Sequence, residues 1–336
     1  MLIDLDYDAI GAALRDVPSP IRLVVHPSAA AAALSDEVQA LANRIAEAAG
    51  GGALVEQGDG AGVPAEPALT LATTERAPIH YLGLPEGREA APFVEALSGL
   101  AALAAGKASG NGAGEAARLA ELQSPAELLL FVAPSCPHCP EAVRIATRIA
   151  LASPSVTVTI VDVQRFEELG KRYHVQSVPR IIIDDRLSFT TVVPAKELVG
   201  HLLARGTPDY ATRAFDSLIE TGRLDAAAAE LRGSDGPRLL AHAWKQSTTS
   251  SRMALMLTAE ELLDEDEAAL DGAVAGLLPM LEAEDAALQG DTADLLGRIG
   301  HPSAKDAIAK LLDHDNPDVA EIAEEAMEAI DERRSE

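Results

Sequence analysis

The chain is poor in three things. Two of its 336 residues are cysteine, aromatic residues make up 3%, and 27 Lys+Arg stand against 53 Asp+Glu. Two cysteines are too few for a disulfide framework, and by themselves they cannot supply the four ligands of a structural zinc site. With so few rings, the 48% of apolar residues must build a core from Ala, Leu, Val and Ile, a bias towards closely packed helices. A net charge of -26 excludes nucleic acid and anionic membranes as partners, because both would be repelled. No run approaches 18 uncharged apolar residues, and the start MLIDLDYDAI lacks a basic region with an apolar stretch behind it. The expectation is a soluble, cytoplasmic protein. Thiols are kept reduced in that compartment, so a cysteine pair there is more often catalytic or metal-binding than a structural staple.

Both cysteines sit together in FVAPSCPHCPE (131–141), directly after the apolar run Leu128 to Val132. Around them the charge changes. Acidic residues outnumber basic ones 16 to 7 in 1–121 and 29 to 11 in 207–336, but stand at 8 to 9 in 122–206. The pattern places the pair where a buried strand turns into a helix expected over 137–152. Cys136 then lies at the helix N-terminus, where unpaired N–H groups and the helix dipole favour a thiolate, with protonated His138 adding positive charge. Cys139, one turn in, is expected to be more buried. Pro137 suits the first helical turn, and Pro140 is expected to kink the helix. An exposed low-pKa sulfur beside a shielded one is the arrangement disulfide exchange needs.

The rest of 122–205 reads as strand, helix, strand, helix, strand, strand, helix: after the cysteine helix come V156-T-V-T-I-V-D-V163, a short helix near 165–173, strands at Arg180 to Asp184 and Ser188 to Val193, and a helix at 195–204. The first segment repeats this plan. Ile21-Arg-Leu-Val-Val-His-Pro-Ser28 aligns with Leu128-Leu-Leu-Phe-Val-Ala-Pro-Ser135 at an offset of 107, which puts Ala29 and Ala32 where Cys136 and Cys139 stand. A helix at 34–48, strands at Ala53 to Gln57, Pro67 to Thr73 and Ile79 to Leu84, and a helix at 89–104 complete it. Residues 106–114, GKASGNGAG, read as a flexible linker. From 207 onwards the pattern is helical, with a repeat at an offset of 31: Leu281, Leu288, Leu296 and Ile299 correspond to Leu312, Val319, Met327 and Ile330. Repeated helix pairs bury a shared face by stacking.

Forty-three residues after Cys136 comes Pro179, in Ser177-Val178-Pro179-Arg180, immediately before a strand. Together with CPHC this resembles the thioredoxin superfamily. APIHYLGLPEGREAAPFVEALSGL (77–100) and SCPHCPEAVRIATRIA (135–150) are similar to protein disulfide oxidoreductases built from two tandem thioredoxin folds, and to the N-terminal part of the alkyl hydroperoxide reductase flavoprotein. LLGRIGHPSAKDAIAKLLDHDNPDVAEIAEEAMEAI resembles HEAT-type repeats. The implied fold class is α/β, two tandem thioredoxin folds with a mixed sheet covered by helices, plus an all-α HEAT-like domain. The implied domains are a thiol-less thioredoxin-like domain at 1–105, a Gly-rich linker at 106–121, a thioredoxin domain with CPHC at 122–206 and a helical repeat domain at 207–336.

The resemblance implies a thiol-disulfide oxidoreductase. Cys136 attacks, Cys139 resolves, and a cis Val178-Pro179 peptide, with Ser177, Pro137 and His138 around it, holds the client backbone. It implies protein disulfides as clients, a flavoprotein reductase or a peroxiredoxin as redox partner, and no bound cofactor, electrons arriving from outside. Leu130 stands where the family keeps a buried carboxylate, so the proton acceptor for Cys139 is not evident. A Pro-His insert suits an oxidising couple, whereas a cytoplasmic setting suits a reductase. Two other readings stay open: a metal site completed by His26, His174 or another subunit, and a redox-gated interaction platform with little turnover. The Gly-rich run at 110–114 follows no strand and is no phosphate loop, and Asp313 to Asp318 has proline where a calcium ligand belongs.

Overall fold

The computed structural model describes residues 5–74, 76–107 and 113–333. The chain divides into two compact units, Met1–Arg205 and Gly206–Glu336.

The first unit holds eight strands: β1 (Ile21–His26), β2 (Ala53–Gln57), β3 (Ala68–Ala72), β4 (Ile79–Leu82), β5 (Ala126–Val132), β6 (Val156–Asp162), β7 (Arg180–Ile183) and β8 (Leu187–Phe189). Its helices are α1 (Tyr7–Leu14), α2 (Ala32–Ala49), α3 (Ala90–Ala104), α4 (Ala113–Leu119), α5 (Cys139–Ala152), α6 (Glu167–Arg172) and α7 (Ala195–Ala204). All eight strands form one sheet in the order β2-β1-β3-β4-β6-β5-β7-β8. Within the first quartet β1 is parallel to β2 and antiparallel to β3, and β3 is antiparallel to β4. The second quartet repeats this with β5, β6, β7 and β8. The halves join where β4 runs parallel to β6, from Ile79 opposite Val158 to Leu82 opposite Val161. Each of those strands would otherwise be an unpaired edge of its own half.

The local sequence explains these elements. Central strands buried on both faces read as unbroken apolar runs, as in Ile181-Ile182-Ile183 of β7. Helix α2 stops at Gly50, whose φ of 57° is the left-handed turn that glycine adopts without strain. The mixed sheet with helices matches the α/β expectation. Three details differ. Residues 108–112 of the expected linker lie outside the described residues, and 113–119 form helix α4 against α5 and α7. The strand expected over Ser188 to Val193 ends at Phe189, because β8 pairs only with β7, through residues 187–189. Helix α5 starts at Cys139 and not at 137, so Pro140 occupies its first turn, where no N–H is needed.

The second unit is helical: α8 (Pro208–Glu220), α9 (Leu224–Leu231), α10 (Gly236–Gln246), α11 (Thr249–Glu265), α12 (Val274–Leu277), α13 (Ala286–Ile299), α14 (Lys305–Ile308) and α15 (Pro317–Arg333), with 3-10 turns flanking α12 and α14. Trp244 is fully buried in its core and donates its indole N–H to Thr292 at 2.9 Å. Helices α13 and α15 approach so closely at Gly297 that a Cβ there would lie 2.7 Å from the Ala326 Cα. The offset of 31 appears as two successive pairs, a broken helix at 271–282 followed by α13, and another at 302–311 followed by α15. One correspondence fails. Leu312 is 41% exposed while Leu281 is buried, because the turn at 309–311 sends Leu311 inward instead.

Candidate active site

Strand β5 delivers the chain into a turn, closed by the Cys136 N–H donating to the Ala133 carbonyl, and α5 begins three residues later. The cysteines are joined as a disulfide with their Cα atoms 5.5 Å apart. Cys136 is 8% exposed and Cys139 fully buried. His138 is the N-cap residue of α5, but its side chain makes no capping bond. Instead the Cys139 N–H donates to the Cys136 sulfur at 3.1 Å. The sulfur therefore does the work of a cap, accepting from a helix donor that would otherwise be orphaned, and a thiolate accepts better than a thiol. The expected position of Cys139, one turn in, is corrected to the first helical residue; its burial comes from the sheet beneath.

The segment before β7 completes the site. The Val178-Pro179 peptide is cis, and the Val178 carbonyl oxygen lies 3.6 Å from the Cys136 sulfur. Ser177, Pro137 and His138 are exposed, Val178 is half-buried and Pro179 buried, so Cys136 opens onto a small polar and apolar surface. Arg180, 3% exposed, fastens this segment from behind: its Nε donates to Ser188 Oγ at 2.8 Å and a terminal nitrogen to the His174 carbonyl at 2.9 Å. Composition gave no hint of this role, since a buried arginine reads as a surface cation.

No titratable group stands at Leu130, yet two carboxylates are buried at this end of the sheet. Asp162, the last residue of β6, accepts the N–H of Gln164 at 2.9 Å and lies 3.6 Å from Arg165, while burial raises its carboxyl. Glu89 belongs to the first half, in the turn 87–89 that packs on α5. A Cβ on Gly87, at the start of that turn, would sit 3.3 Å from the Pro134 carbonyl, two residues before Cys136. Glu89 is 5% exposed, neither carboxylate oxygen has a hydrogen-bond partner, and burial pushes its carboxyl up to about 7, partly offset by Arg144 and reinforced by Asp162. Nothing in the sequence distinguished Glu89 from its neighbours Glu86 and Glu95.

The residues named for a metal site do not converge. His26, on β1 of the first half, is 5% exposed, accepts the Gly60 N–H at Nδ1 and bonds Thr70 through Nε2 at 3.1 Å. Among the described residues no group of three or more His, Cys, Asp and Glu side chains is placed to hold a metal ion. Likewise, among the described residues no helix is long and apolar enough to cross a membrane.

A strand-turn-helix that leaves one sulfur marginally accessible and seals the other, beside a cis-proline segment, can be compared with known proteins. A family model described as a thioredoxin domain matches residues 127–204. The thioredoxin of Methanocaldococcus jannaschii is 33% identical over 75 residues, covering 22% of this chain and 87% of that one. The chain belongs to the thioredoxin superfamily. Two solved structures are similar to part of the chain. The NTD_N/C domain of the alkylhydroperoxide reductase AhpF of Enterococcus faecalis is 21% identical with a TM-score of 0.49, covering 58% of this chain and 97% of that one. A protein disulfide oxidoreductase of Aeropyrum pernix is 20% identical with a TM-score of 0.48, covering 60% and 94%. With its cysteine pair intact, this thioredoxin-superfamily protein is a thiol-disulfide oxidoreductase.

Proposed function

We propose that the clients are protein disulfides. The Cys136 thiolate attacks one sulfur of a client disulfide, forming a mixed disulfide and releasing a client thiolate. The Cys139 thiolate then attacks Cys136, restoring the Cys136–Cys139 disulfide and releasing the second client thiolate. Two electrons pass to the client, which a peroxiredoxin disulfide would also be, and a flavoprotein reductase returns two to the pair; no bound cofactor takes part. Ser177, Val178 and Pro179 hold the client backbone beside Cys136, with Pro137 and His138 on the opposite rim. Glu89 takes the proton that Cys139 must lose, because it is the buried carboxylate whose turn packs against the cysteine loop and whose proton leaves near neutral pH.

One observation carries this reading: the Cys136 sulfur caps α5 within reach of the Val178 carbonyl, while Cys139 is sealed. The chain with Cys139→Ser should trap a client as a mixed disulfide stable to gel electrophoresis without reductant. Failure to trap any disulfide substrate, with Cys136 still titrating as a free thiol, would overturn it. The direction of flow follows from the reduction potential of the pair: about -270 mV makes a reductant, about -120 mV an oxidant. The helical unit, with its own core and its HEAT-like pairs, is proposed to bind the client or the redox partner. A cytoplasmic location fits the reductase direction.

A further inference from the structure

The half without cysteines keeps an open cavity at the corresponding place. Matching strand order puts Ser28 to Ala32 where the other half has Ser135 to Cys139, and Glu66-Pro67 before β3 where the other half has Val178-Pro179 before β7. A cavity of about 520 Å³ lies there, a volume typical of ligand sites. Its apolar walls are Ala31, Leu34, Ala65 and Pro67 from the first half and Phe166 and Leu169 from the start of α6. Leu34 and Ala65 pack on the buried cluster that includes Phe166 and Leu169, so the floor is anchored.

The rim is negative. Glu66, Glu167 and Glu168 are exposed around the opening, Glu168 being paired with Lys171 at 2.6 Å. Of the lining arginines, Arg165 is already shared among Glu37 at 3.4 Å, Glu86 at 3.2 Å and Asp162 at 3.6 Å, and Arg172 lies over the Tyr173 ring. Ala65 and Glu66 stand outside the β1–β3 ladder, whose last pair is His26 with Ala68.

We propose that this cavity is a non-covalent binding site for an extended polypeptide segment that carries a leucine-sized apolar side chain next to lysine or arginine. The apolar side chain fills the space between Leu34 and Phe166, the segment's backbone lies along Ala65-Glu66, and the basic side chain meets the carboxylate rim. The site has no sulfur, so it holds its segment without covalent capture and independently of the exchange chemistry. A chain that binds a client here and reacts with it at Cys136 would hold it at two points.

The test uses the full chain with Cys136→Ser and Cys139→Ser, which removes covalent capture, and a fluorescent cysteine-free peptide of alternating leucine and lysine, followed by anisotropy. The leucine-lysine peptide should bind and a leucine-glutamate peptide should not. Ala31→Trp, which fills the cavity, should weaken binding at least about tenfold. Glu167→Lys with Glu168→Lys, both on the exposed rim, should reverse the preference between the two peptides, a readout independent of whether the tryptophan is tolerated. Ser177→Trp, at the cysteine-bearing half, should leave the affinity unchanged. Loss of binding on Ser177→Trp with none on Ala31→Trp would place the peptide at the other site and overturn the proposal, as would equal binding of both peptides or binding of neither.

Discussion

The two halves of the first unit share one strand plan and differ at the place where chemistry happens. In the second half the loop after β5 ends in two buried sulfurs; in the first, Ala29 and Ala32 occupy the aligned positions and are exposed. The interiors differ as well. Across β1, β3 and β4, His26, Thr70 and His80 form a buried chain, with Thr70 Oγ1 3.1 Å from His26 Nε2 and 2.7 Å from His80 Nδ1, whereas β7 presents isoleucines to β5. Because the Gly60 N–H occupies His26 Nδ1, the His26 Nε2–H donates to Thr70, whose hydroxyl donates onward to His80. The comparison teaches that a repeated backbone preserves sheet order far more strictly than it preserves a reactive surface.

The sharpest way to test that contrast is to remove one side chain from each half. Cys136→Ser should cut protein-disulfide turnover at least about a thousandfold, whereas Ala29→Ser at the aligned position should leave it unchanged; a turbidity assay of disulfide reduction measures both. Equal effects would erase the functional difference between the halves.

Next in size is Glu89, the contribution of the first half to the second. Its folded pKa, about 7, stands above the unfolded value, so the native state binds more protons between the two and stability falls as pH rises from about 4.5 to about 7. Glu89→Gln should therefore be more stable than the parent above pH 7, by up to about 3 kcal/mol in urea unfolding, and as stable below pH 4. The same variant should flatten the pH dependence of the Cys139 step near neutrality. A stability gain with an unchanged rate profile would make Glu89 a structural acid only.

His80 works in the opposite direction. Burial, then the neighbouring His26, lowers it to about 4. The unfolded chain binds the extra proton first, so stability drops as pH falls from about 6.5 to about 4 and is complete above 6.5, a change of up to about 3 kcal/mol. His80→Gln should remove most of that slope, and a retained slope would assign acid sensitivity to other groups, His26 of the same half among them, because burial lowers it too. The smallest effect belongs to Arg144. Its guanidinium makes a bidentate pair with Glu95, at 2.8 Å, across α3 and α5, but both side chains are more than a third exposed. Solvent screening limits Arg144→Ala to under about 1 kcal/mol of stability, while losing this cation should raise the Glu89 carboxyl further.

Much of this was legible in the amino acids. The alternation in V156-T-V-T-I-V-D-V163, the isoleucine run and the offset of 107 pointed to the strands and to the duplication, because a side-chain period of two leaves its mark in any half-buried strand. The cysteine pair, its asymmetry and the proline segment were readable for the same local reason. The start of α5 was misplaced by two residues because Pro137 satisfies the turn as well as it would satisfy a helix. Glu89, Arg180 and the join between β4 and β6 were invisible: each depends on residues far apart in the chain, and an acid or an arginine has the same letter whether solvated or buried. Leu312 was misread because a one-residue shift in a 3-10 turn moves the inward position without altering the apolar pattern.

The parallel pairing of β4 with β6 has a consequence for aggregation. Cutting the chain between the halves would leave the V156-T-V-T-I-V-D162 edge of β6 bare along its hydrogen-bonding side, a stretch with high strand propensity, a single charge and no proline. The cysteine-bearing half expressed alone should therefore pair with copies of itself into fibrillar deposits. In the intact chain the thiol-less half prevents this by supplying β4, an intramolecular cap against self-association that it would provide even if it bound nothing.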